Sequence, residues 1–114
     1  MITIDQARRI ALSFPGAEEL QHQGHPDFRV ANRIFVSLRP GEERAVVKLD
    51  AGEQADLVQE EGSKFSLNAW SKQGWTEIHL DQISASEFRA VVEASWRRVA
   101  PKKLVAAFRP DEGG

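Results

Sequence analysis

The sequence predicts an α+β fold, a two-layer sandwich of an antiparallel five-stranded sheet with helices on one face, in the order α-β(3)-α-β(2)-α. Three observations carry this. Between residues 28 and 49, apolar residues alternate with polar ones in three short runs separated by turn sequences, the pattern of an antiparallel meander with one buried face. Three other segments place apolar residues at helical spacing, each behind an N-capping residue. The chain is 114 residues long, enough for one core without staples, and contains no cysteine.

The first helix opens at Thr3-Ile4-Asp5-Gln6, a capping box, and continues with Ala7, Ile10, Ala11 and Phe14 in one stripe until Pro15-Gly16. In the strands that follow, Phe28 and Val30 alternate with Arg29 and Ala31; Ile34, Val36 and Leu38 with Phe35, Ser37 and Arg39; Ala45, Val47 and Leu49 with Arg44, Val46 and Lys48. Asp50 and Glu53 open a second helix with Ala51, Ala55 and Val58 on its inner side, closed by Gly62. Phe65 and Leu67 mark a short strand, and an irregular stretch runs through Ser71 to Gly74. From Trp75 to Leu80 the alternation returns, with Ile78 and Leu80 inward and Trp75, Glu77 and His79 outward. Ser84 and Glu87 cap the last helix, whose stripe is Phe88, Val91, Val92, Ser95 and Val99, with Trp96 as a partly buried anchor beside it and Pro101 as the stop. Residues 1–109 are expected to form a single domain and 110–114 a disordered tail.

Composition narrows the chemistry. The absence of cysteine excludes disulfides, thiolate metal sites and cysteine nucleophiles. No apolar run is long enough to span a membrane, and the first residues lack the basic and apolar regions of a signal peptide, so a cytoplasmic protein is expected. The net charge of −2 hides an asymmetry: residues 89–109 carry six basic residues against one acid, whereas the remainder carries nine against sixteen.

Several segments together resemble the MmcQ/YjbR family. They are Gly24-His25-Pro26-Asp27-Phe28-Arg29-Val30, Ile34-Phe35, Val47-Lys48-Leu49, Gly74-Trp75, and Trp96-Arg97-Arg98-Val99-Ala100-Pro101-Lys102-Lys103-Leu104. The likeness covers nearly the whole chain. It implies a small bacterial protein whose fold is similar to that of type III secretion chaperones, in a family often labelled DNA-binding by structural analogy. It supplies no catalytic residue.

Two surfaces are candidates for function. On the uncovered sheet face the alternation places Arg29, Phe35, Arg39, Arg44, Lys48, Trp75 and His79, cations interleaved with aromatics, a composition suited to phosphate contact and base stacking. Alternatively, Phe35 and Trp75 cover each other across strands and the cations are merely solvated, or the aromatics mark a protein interface. The second surface is the basic C-terminal segment of Arg97, Arg98, Lys102 and Lys103; cations at a helix C-terminus also complement its macrodipole without any ligand. A third cluster, His22, His25 and Asp27, has ligand and acid–base residue types. Its spacing matches no zinc motif, and on one strand His-x-x-His points its rings to opposite faces.

No nucleotide-binding glycine motif, P-loop or nucleophile elbow is present, so no enzyme activity, cofactor or metal is expected. The leading expectation is a low-specificity nucleic-acid binder, with DNA as partner. The alternatives are a protein-interaction module resembling secretion chaperones, with a protein partner, and a small metal-dependent enzyme around His25 and Asp27; the protein is expected to be a monomer or weak dimer.

Overall fold

The computed structural model describes residues 1–109; the tail expected at 110–114 lies outside the described residues. Helix α1 (Ile4–Leu12) forms as its capping box dictates: the Thr3 N–H donates to Gln6 Oε1 at 2.8 Å, and the Gln6 N–H donates to Thr3 Oγ1 at 3.1 Å. Four strands follow, β1 (Glu18–His22), β2 (His25–Val30), β3 (Arg33–Arg39) and β4 (Arg44–Lys48). Then come α2 (Ala51–Glu60), β5 (Phe65–Ser66), β6 (Trp75–His79), α3 (Ala85–Val99) and α4 (Lys102–Ala107). The sheet is antiparallel throughout and has six strands in the order β1-β2-β3-β4-β6-β5.

The sixth strand is β1, one more than the periodicity predicts. It is an edge strand, and Glu18, Glu19, Leu20 and Gln21 are all exposed, so it leaves no buried face for an apolar alternation to record. Its hairpin turn places Gln23 and Gly24 at φ 52° and 83°. The turn joining β2 to β3 places Ala31 and Asn32 at 51° and 65°. Left-handed backbone at both central residues is what a two-residue type I′ hairpin requires.

The helices cover one face. Phe14 of the α1 exit, Phe28, Phe35, Phe88 and Trp96 form the aromatic centre of the core, with Phe14 edge-on to Phe35 at 6.4 Å between ring centroids. Trp96 is wholly buried rather than partly so, and its Nε1 donates to the Pro15 carbonyl at 3.0 Å. The short α4 was not expected from sequence. Beyond it, Phe108 packs on Trp96 and Phe14, at 4.9 and 5.7 Å between centroids. In α2, Val58 faces the protein as expected, but Ala51 and Ala55 are exposed and Gln54 and Leu57 face inward in their place, with Gln54 Nε2 donating to Thr76 Oγ1 at 2.9 Å.

One irregularity decides which side chains reach the open face. The β2–β3 register runs Asp27↔Ser37, Phe28↔Val36 and then Arg29↔Ile34, leaving Phe35 as an extra residue, a β-bulge. The bulge breaks the simple alternation of β3. Phe35, Val36 and Leu38 are all fully buried, while Ile34 turns to the open face. Ser95 of α3 completes the bulge: its hydroxyl donates to the Phe35 carbonyl at 2.6 Å and accepts from the Lys48 N–H at 3.0 Å.

Candidate functional site

Phe35, expected on the outer face, is therefore a core residue with no exposed surface. It cannot stack a ligand, nor does it cover Trp75 across the strands, because the two rings lie on opposite sides of the sheet. The outer-face surface is built from the residues that keep their phase around it.

Lys48 ends β4 and is the register partner of Trp75, which begins β6. Their side chains meet on the open face, with Lys48 Nζ 5.6 Å from the Trp75 ring centroid, a cation–π arrangement. Gly74 makes this start of β6 possible. Its φ of 98° is left-handed, and a Cβ there would lie 2.5 Å from the Leu49 carbonyl oxygen. On β2, Arg29 grips Asp27 with two parallel contacts, Nε to Oδ1 at 3.0 Å and Nη2 to Oδ2 at 3.2 Å. Asp27 is almost wholly buried, so the fork fixes the Arg29 side chain and largely neutralises it; the hydrogen bonds to Asp27 also raise the guanidinium's pKa further.

Around these residues lies an open cleft of about 470 Å³, lined by Arg29, Arg33, Ile34, Lys48, Trp75 and Arg98 among others. Arg33 enters because the tight turn at Ala31-Asn32 makes it the first residue of β3; Arg98 enters from the last turn of α3. Among the described residues, Arg33, Lys48 and Arg98 have no carboxylate within 4.0 Å. Arg98 still acts at longer range: burial and Asp50 raise the Glu53 pKa, while Arg98 pulls it down. A second cavity of about 610 Å³ shares Arg33 and Arg98 with the cleft and adds Arg97 and Lys102. The basic C-terminal segment and the sheet's outer face thus meet at Arg33 and Arg98.

The remaining predicted residues are placed otherwise. Arg44 sits at the far end of β4, 3.9 Å from Glu77 and 3.8 Å from Asp81, its charge met by acids. His79, its register partner, shares a 2.8 Å hydrogen bond with Ser66 Oγ through Nε2, and neither of that pair lines the two basic cavities. Arg97 pairs with Glu93 at 2.8 Å and lies 5.3 Å from the Phe108 ring centroid. Arg97 and Arg98 lie in the last turn of α3, where the macrodipole favours cations, but Lys102 and Lys103 open α4, where it does not. Lys103 lies outside both cavities.

His22 and His25 are not on one strand, as their spacing suggested, but are cross-strand partners of the β1–β2 hairpin. Among the described residues, no three His, Cys, Asp or Glu side chains stand where they could hold a metal ion. Nor is any helix among them long and apolar enough to cross a membrane.

Sequence reasoning missed Arg33 and Trp70. Arg33 falls between the alternating runs around Val30 and Ile34, but the two-residue loop at Ala31-Asn32 makes it the first residue of β3. Trp70 is 56% exposed in the connection before β6, and its signal was a large aromatic with no periodic partner.

These features define a two-layer α+β protein with a basic, aromatic cleft at one end of an open sheet face. The YjbR family model matches residues 12–98, and the chain belongs to that family. The fold is similar to the crystal structure of the Deinococcus radiodurans protein DR2400, which carries a DUF419 domain. The TM-score is 0.78 at 20% identity, covering 99% of this chain and 89% of that one. No curated protein matches the sequence.

Proposed function

We propose that the protein binds nucleic acid with low sequence specificity through the basic cleft of its outer sheet face, aided by Lys102 beside it. One observation carries this reading: Arg33, Lys48 and Arg98 converge with Trp75 on one open cavity, and none of the three cations has a carboxylate partner among the described residues. Confining like charges without counter-charges is unfavourable unless an anion compensates them. A phosphate backbone does so, and an aromatic face beside it accepts a base whatever its identity. Arg44 and Arg97 are paired with carboxylates, His79 and Lys103 lie outside both basic cavities, and Phe35 is in the core, so none of these five contributes to binding.

Fluorescence anisotropy with labelled single- and double-stranded DNA at two salt concentrations tests it. Three phosphate contacts predict a slope of log K against log salt of roughly −2 on a single strand. Absence of binding at about 50 mM salt overturns the proposal.

Exposed Leu67 and Trp70, at 58% and 56%, favour a second reading, a protein-interaction module that forms a weak dimer or binds another chain. Sedimentation at micromolar concentration tests its dimeric form, which a strict monomer at every concentration removes.

A further inference from the structure

We propose that the bound nucleic acid is single-stranded and that an unpaired base seats in a groove between Trp70 and Trp75; this rests on the cleft reading above. The groove holds about 380 Å³ and is lined by Ile34, Arg39, Val46, Trp70 and Trp75 among others. It shares Ile34 and Trp75 with the basic cleft, so the apolar groove and the cationic one adjoin across a single indole. A strand whose phosphates follow Arg33, Lys48 and Arg98 has its bases turned towards that indole.

The exposure of Trp70 is held in place by its own loop. The Trp70 N–H donates to Asn68 Oδ1 at 2.8 Å, the Asn68 N–H donates to Ser71 Oγ at 2.6 Å, and the Gln73 N–H donates to the Trp70 carbonyl at 3.0 Å. An apolar side chain kept out of the core by a bonded loop is available to a partner. The groove also offers a polar contact. Arg39 lines it, and a guanidinium carries N–H donors suited to a base carbonyl oxygen.

The groove's size and chemistry favour one unpaired base. It lies near the small end of ligand cavities, roughly 300–1,000 Å³. In a duplex, each base has both faces covered by its neighbours and its pairing edge occupied, so neither Trp70 nor Arg39 gains a contact. A duplex meets the cations alone.

The test is anisotropy at about 50 mM salt with an oligothymidylate of ~12 nucleotides, within the length that single-strand folds engage, and with a duplex of equal length. It compares wild type, Trp70→Ala and Trp70→Phe, with a urea midpoint on each variant to confirm an intact fold. Trp70→Ala is expected to weaken the single strand roughly 5- to 150-fold and to leave the duplex unchanged. Trp70→Phe retains most of the affinity, and tryptophan fluorescence is quenched by the single strand in wild type. Equal single-strand affinity for Trp70→Ala and wild type, or equal losses on both oligonucleotides, overturns the groove as a base site and leaves the cleft reading standing. If neither oligonucleotide binds wild type, the cleft reading fails and this inference fails with it.

Discussion

Replacing Ser95 by alanine removes one oxygen from a residue with no exposed surface, and that oxygen serves two backbone groups at once. The Phe35 carbonyl, displaced from the ladder by the bulge, loses its 2.6 Å donor, and the Lys48 N–H loses its 3.0 Å acceptor. A buried polar group left without a partner costs about 1–3 kcal/mol. The carbonyl is fully buried and the amide only partly so, which puts the sum at about 2–4 kcal/mol, because the missing hydroxyl leaves too small a space for a water to replace it. In a chain of this length that corresponds to a fall in Tm on the order of 10–20 °C. Urea denaturation followed by the fluorescence of buried Trp96 measures the loss, and hydrogen exchange at the Lys48 amide reports its local part. A loss below about 0.5 kcal/mol with Lys48 still protected would refute the reasoning, since the bulge would then satisfy itself without α3.

Two further substitutions follow from the same structure. Gly74→Ala is expected to destabilise the fold by about 2 kcal/mol or more, because a left-handed φ and a Cβ 2.5 Å from the Leu49 carbonyl both oppose it; an unchanged urea midpoint would contradict this. Glu87 is held down from its ordinary 4.5 to about 2 by its hydrogen bond from Lys64 and by the Ser84 cap. Its contribution is therefore fully present above about pH 4.5 and is lost as pH falls towards 2, so wild type should lose stability over that window and Glu87→Gln should lose less. Parallel acid titrations of the two proteins would expose the error if they ran together.

The helices were legible because their signals are local. Thr3 with Gln6 and Ser84 with Glu87 form the capping boxes their spacing implies; the stripe behind the first is buried in α1, and in α3 Phe88, Val92 and Ser95 are buried while Val91 and Val99 are partly so. Asp50 caps α2 at 2.7 Å from the Glu53 N–H, yet the helix turns Leu57 inward rather than Ala51. Strand β1 was invisible because an exposed edge strand has no apolar face, and Phe35 was misplaced because a bulge changes the phase of a strand without changing its composition. Half of the site followed the alternation: Arg29, Lys48 and Trp75 converge as their parity requires. Arg33 and Arg98 reach them only through a turn and a helix end, and that meeting is a tertiary fact. Arg44 shares the parity of Lys48, but it stands four residues away along β4, about 13 Å at strand rise, among acids.

The salt dependence of single-strand binding in wild type and Lys48→Ala tests the central claim most directly. A basic cleft contacting three phosphates predicts a slope near −2 in wild type, reduced in magnitude by about 0.7 in Lys48→Ala and unchanged in Arg44→Ala. No binding at about 50 mM salt, or a Lys48→Ala slope identical to that of wild type, would contradict it.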